Sequence, residues 1–113
     1  MDIEIGDIVL VELQFTHFKD SKKRPVLVLK DNMPFNDFFG LAITSLKSSS
    51  ELRKNEYALD NQSLKSGQLP SKSKIIISKP FTISKDIIIK KYGQILNESL
   101  QEIKERFCQY YEC

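Results

Sequence analysis

The feature that most constrains this chain is a succession of six short apolar runs within its first 83 residues, each bounded by polar or turn-forming residues. They are Ile8-Val9-Leu10-Val11-Glu12-Leu13, Pro25-Val26-Leu27-Val28-Leu29-Lys30, Phe38-Phe39-Gly40-Leu41-Ala42-Ile43-Thr44, Glu56-Tyr57-Ala58-Leu59, Ser73-Lys74-Ile75-Ile76-Ile77-Ser78 and Pro80-Phe81-Thr82-Ile83. Runs of this length read as strands. The first is rich in β-branched residues and too apolar for a solvent-facing strand, so it is expected to be central and buried. Pro25 is expected at the entrance of the second, where a missing N–H does least harm. The polar segment from Thr16 to Lys23 then makes the first two runs a long-looped hairpin. A turn at Asp31-Asn32-Met33-Pro34 leads into the third run, which puts Thr44-Ser45 at a strand exit. The stretches from Lys47 to Asn55 and from Asp60 to Pro70 read as loops.

The pattern changes near the C-terminus. Asn97-Glu98-Ser99-Leu100 reads as a helix start, with Asn97 as the capping residue and Glu98 favoured by the helix dipole. Leu100, Ile103, Phe107 and Tyr110 follow at three- and four-residue spacing and form one apolar stripe that must pack on something. A sheet and an amphipathic helix each need one covered face. The expected fold is therefore mainly β with a C-terminal α-helix, a small, strongly bent sheet or SH3-like barrel. With 113 residues there is room for one core, so a single domain over residues 1–113 is expected.

Several functional classes find no support. The acidic start, Met1-Asp2-Ile3-Glu4-Ile5-Gly6-Asp7, lacks the basic and apolar regions of a secretory signal, and no apolar stretch approaches the length of a membrane span. Cys108 and Cys113 lie five residues apart, which on a continuing helix points them about 140° apart and disfavours a bridge. A reduced, cytoplasmic setting is the simpler expectation. One His and two Cys offer no zinc spacing, and neither a phosphate-cradling Gly-rich loop nor a nucleophile elbow is present, so no metal and no cofactor is expected. A net charge of +2 neither demands nor forbids nucleic acid. Local clusters at Lys19, Lys22, Lys23 and Arg24, and at Lys65, Lys72, Lys74 and Lys79, read by themselves as mostly solvated surface.

Arg24 at a strand entrance and Thr44-Ser45 at a strand exit can meet on one rim of an antiparallel sheet. A guanidinium is a permanently charged fork of donors, suited to a phosphodiester that gains negative charge during reaction. The hydroxyls of Thr44 and Ser45 can orient a ribose 2′-hydroxyl or donate to a phosphate oxygen. On these residues alone, a surface arginine and a β-forming threonine are the favoured reading.

Taken in order, Gly6-Asp7-Ile8-Val9-Leu10-Val11, Lys23-Arg24-Pro25-Val26-Leu27-Val28-Leu29 and Leu41-Ala42-Ile43-Thr44-Ser45 resemble the successive signature blocks of the MazF/PemK toxins of bacterial toxin–antitoxin pairs. Gly67-Gln68-Leu69-Pro70-Ser71-Lys72-Ser73, Phe81-Thr82-Ile83 and the stretch from Tyr92-Gly93 to Phe107 are similar to that family's later blocks. The likeness is least between Thr16 and Lys23, which holds no glycine, and at Ser84, where an acidic residue often stands.

The resemblance implies an SH3-like barrel of MazF or CcdB type. It further implies a homodimeric, metal-independent endoribonuclease that cuts single-stranded mRNA by 2′-hydroxyl attack and is neutralised by a cognate antitoxin. In that reading Arg24 and Thr44 are catalytic, and Ser45, His17, Lys23 and Ser73 contact RNA. Glu12 and Asp20 are further candidates for a base, and Tyr57 and Phe81 for stacking on bases, although aromatics at strand positions are commonly core. An acidic antitoxin tail would lie against Lys22, Lys23 and Arg24. Two other readings keep the fold: an inactive SH3-like protein- or nucleic-acid-binding module, and a gyrase-targeting toxin, which would lack the Arg24/Thr44 pair.

Overall fold

A computed structural model describes residues 2–14, 21–46 and 52–113. Seven strands form one antiparallel sheet: β1 (Asp7–Gln14), β2 (Ser21–Lys30), β3 (Asp37–Ser45), β4 (Glu56–Leu59), β5 (Leu64–Gly67), β6 (Ser73–Ser84) and β7 (Ile88–Ile95). Their spatial order is β4-β6-β3-β2-β1-β7-β5, and one helix, α1 (Asn97–Tyr111), ends the chain. The sheet curls into a half-barrel. Among the described residues no helix is long and apolar enough to cross a membrane.

The hairpin of β1 and β2 has the expected partners but different limits. Opposed residues run from Ile8↔Leu27 to Gln14↔Ser21, so the polar Ser21-Lys22-Lys23-Arg24 belongs to the strand. Pro25 thus lies within β2, opposite Leu10, rather than at its entrance. It is tolerated because the ladder to β3 begins only at Val26↔Ala42, so the absent N–H costs no rung on that side.

The runs at 73–78 and 80–83 form one strand instead of two. Its pairing with β3 shifts between Leu41↔Pro80 and Ala42↔Ile76, and the extra residues bend β6 while keeping it in the sheet. Strands β5 and β7 had no counterpart in the sequence reading. They meet at Gly67↔Gly93, and Gly67 has φ +82°. A Cβ on Gly67 would lie 2.0 Å from the Tyr92 carbonyl oxygen, so both the turn and the close approach require glycine.

The curl buries both faces of the central strands. On one face Val9, Val11, Val26, Val28, Phe38 and Ile83 join Ile3 in one core. On the other, Ile8, Leu27, Leu41, Ile43, Ile75, Ile77 and Ile95 surround Ile103 of α1, with Leu100 and Phe107 packed against them. This double burial explains why the first two runs carry no polar alternation.

Helix α1 departs from expectation at both ends. Asn97 is its first helical residue, and the capping position falls to Leu96 without a side-chain hydrogen bond. Phe107 meets Phe39 edge-on at 5.9 Å between ring centres, whereas Tyr110 is half exposed. Tyr111 takes the anchoring part, its hydroxyl donating to the Ile77 carbonyl at 3.1 Å. Cys108 and Cys113 are joined as a disulfide. The helical angle between them does not apply, because the helix stops at Tyr111 and Glu112, with φ 59° and ψ 40°, turns the chain back. The Cys113 N–H then reaches the Cys108 carbonyl at 3.0 Å.

Candidate functional site

The two strands that carry the predicted pair are neighbours. Extending the register Val26↔Ala42 by one alternate step sets Arg24 across from Thr44. The Arg24 Nη1 donates to Thr44 Oγ1 at 3.2 Å. Arg24 is also opposed to Val11 on β1, and Thr44 to Lys74 on β6. Directly opposed residues share a face, so Val11, Arg24, Thr44 and Lys74 form one row across the sheet. The adjoining Val9, Val11, Val26 and Val28 are fully buried, and Arg24 and Thr44, each partly buried, stand on the rim of that apolar interior.

This arrangement defines what the pair can do. Thr44 accepts from the guanidinium, so its own hydroxyl proton is directed elsewhere and is available to a phosphate or ribose oxygen. One of five guanidinium donors is spent on holding Thr44, which fixes the fork beside that hydroxyl. A charge fixed next to apolar walls acts more strongly on an oxyanion than the same charge in water.

The other candidates lie elsewhere. Lys23 and Ser45 are exposed, and each adjoins one of the pair in sequence, so its side chain leaves the opposite face of the sheet. Ser73 is opposed to Ser45, is buried, and donates its hydroxyl to the Ser71 carbonyl at 2.9 Å. His17 and Asp20 lie outside the described residues. Glu12 is exposed and opposed to Lys23. Tyr57 packs towards α1, its hydroxyl donating to Glu102 at 3.1 Å and its ring covered by Arg106, while Phe81 packs on the opposite core, with Val9, Val26 and Phe38. Burial pushes the Tyr57 phenol up, as does the Glu102 carboxylate beside it.

One pair was not singled out from sequence. Lys74 Nζ lies 3.0 Å from Glu56 Oε1, and their side chains are only 14% and 7% exposed. Burial pushes the Glu56 carboxyl up, but the Arg53 N–H and the Lys74 ammonium outweigh it, and the net direction is downward. The available signal was Lys74 standing directly before the run Ile75-Ile76-Ile77.

The sequence matches the PemK-like, MazF-like toxin family of type II toxin–antitoxin systems over residues 4–111. The chain belongs to that family. No protein of curated function matches it in sequence. The MazF-like fold recurs in solved structures. A mycobacterial endoribonuclease in complex with its cognate antitoxin aligns with a TM-score of 0.69 at 13% identity, covering 95% of this chain and 92% of that one. Mycobacterium tuberculosis toxin MazF-mt6 aligns with a TM-score of 0.69 at 18% identity, covering 94% and 96%. The MazE–MazF complex of Deinococcus radiodurans aligns with a TM-score of 0.66 at 11% identity, covering 97% and 96%. These likenesses extend the MazF-like architecture over nearly the whole chain.

Proposed function

We propose that this MazF-like toxin is an endoribonuclease that cuts single-stranded mRNA at the Arg24–Thr44 pair. The observation that carries the reading is the 3.2 Å hydrogen bond from Arg24 to Thr44 on the rim of an apolar interior. The scissile phosphate lies on the guanidinium, and Thr44 directs the ribose 2′-hydroxyl. The 2′-oxygen attacks phosphorus and the bond to the 5′-oxygen breaks; the 2′-hydroxyl proton passes to a base, and a proton is returned to the departing 5′-oxygen. The products are a 2′,3′-cyclic phosphate and a 5′-hydroxyl. The substrate supplies its own nucleophile and Arg24 meets the developing charge, so the step asks for no metal. His17 serves as an outer contact to the RNA, whereas Lys23 and Ser45 leave the opposite face of the sheet and Ser73 is buried with its hydroxyl held by the Ser71 carbonyl.

The chain acts as one toxin domain in the cytoplasm, as a homodimer, and is held inactive by a cognate antitoxin. Neighbours of the same fold are recorded with antitoxins, which supports the last of these. The purified chain is expected to cut unstructured RNA in EDTA, and Arg24→Ala to abolish cutting while leaving the melting temperature unchanged. Cutting that persists in the variant would reject Arg24 as the phosphate ligand. An intact fold that binds RNA but neither cuts it nor inhibits growth would favour a binding module.

A further inference from the structure

Stability alone gives the Lys74–Glu56 pair little reason to exist. Both side chains are withdrawn from water, and a desolvated ion pair gains little over apolar residues of similar size. Ile75 and Ile76 beside it show that β6 accepts such residues here. The pair is also placed with care. Lys74 is directly opposed to Thr44, which is itself paired with Arg24. Glu56 stands on β4 opposite Ile76, one step along the same face, and its Oε1 is fixed by the Arg53 N–H at 2.9 Å.

Neighbouring strands are about 4.8 Å apart, so Arg24 and Lys74, two strands apart, stand roughly 10 Å from each other with Thr44 between them. An extended polynucleotide crossing the strands meets one cation on each side of that hydroxyl. The Lys74 ammonium gives one proton to Glu56 and has two left to donate.

We propose that Lys74, aimed by Glu56, binds a phosphate flanking the scissile one and so sets the direction and register of the RNA strand across the sheet. The inference rests on the ribonuclease reading of the Arg24–Thr44 site. Lys74 here is a positioning residue: it holds the strand but leaves the reacting atoms to Arg24 and Thr44.

The test uses the full chain and an unstructured RNA carrying a single 2′-deoxy nucleotide at the cleaved position. In the double variant Lys74→Gln with Glu56→Gln, two amides replace the ion pair, the net charge is unchanged and a hydrogen bond between them is retained. Its binding is expected to weaken about tenfold, the loss of one charge-assisted contact. The slope of log affinity against log salt is expected to become shallower by about 0.7. With cleavable RNA, KM should rise by a similar factor while kcat holds. Lys74→Arg should restore binding and serves as the second, better-folded comparison. Wild-type affinity and salt slope in a folded double variant would overturn the proposal and leave the pair structural. Failure of the wild-type chain to bind RNA would overturn the ribonuclease reading with it, whereas loss of cutting in Arg24→Ala beside unchanged binding in the double variant would overturn Lys74 alone.

Discussion

The two faces of the curled sheet are built from the same strands yet carry different chemistry. One face is packed mainly by Val9, Val11, Val26 and Val28, and its rim carries Arg24, Thr44, Lys74 and Glu56. The helix-covered face is packed by larger residues, Leu27, Leu41, Ile43, Ile75 and Ile103, and its polar groups, Tyr57, Glu102 and Arg106, pair with one another across the joint with α1. On the second face these three groups help to seat the helix. On the first, the guanidinium and a hydroxyl proton remain directed at an open rim, which is how a site differs from a support.

That division can be broken from either side. Ile103→Ala should have the largest effect, because it empties a fully buried position in the helix joint and should cost about 2–5 kcal/mol in denaturant unfolding. Its cleavage rate per folded molecule should match wild type; a rate that falls further than the folded fraction would show that the two faces are coupled. Thr44→Val reverses the pattern. It keeps the β-branched shape and removes the hydroxyl, so cleavage should fall on the order of a hundredfold while unfolding stays close to wild type.

A smaller effect should appear with acid. The folded-state pKa of Glu56 is depressed below its ordinary 4.5. Its contribution to stability is therefore full above that value and is lost as pH falls through the lower, folded-state value. Melting temperature followed from pH 7 downward should decline in this window, and less steeply in Glu56→Gln. Equal slopes would mean that Glu56 is no more tightly held than an unfolded carboxylate.

The strands that carry the Arg24–Thr44 pair are more legible in the sequence than the rest. β1, β3 and the part of β2 from Pro25 onward are nearly continuous apolar runs, and Arg24 and Thr44 lie on neighbouring antiparallel strands whose register brings them together. β7 escaped notice because Ile87-Ile88-Ile89-Lys90-Lys91 follows neither a two-residue nor a helical period. Its pairing with β1 carries two register shifts that break alternation. β5 is four residues long and is defined by the Gly67↔Gly93 contact, which lies in no local pattern. Lys74 and Glu56 are 18 residues apart in sequence and meet only through the β4–β6 register. Arg24 and Thr44 are likewise distant, at 20 residues, but their blocks resemble a known family. The Cys108–Cys113 bridge depended on where the helix stops, and a left-handed glutamate leaves no mark in sequence.

In the proposed reaction the substrate's own 2′-hydroxyl, directed by Thr44, does the cutting while Arg24 meets the charge that develops on the phosphate. The most direct measurement compares an RNA oligonucleotide with one carrying a single 2′-deoxy nucleotide at the cleaved position, both incubated with the toxin in EDTA. The expected result is cleavage of the first to a 2′,3′-cyclic phosphate and a 5′-hydroxyl, with the second bound but uncut. Cleavage of the 2′-deoxy oligonucleotide at the same bond would contradict it.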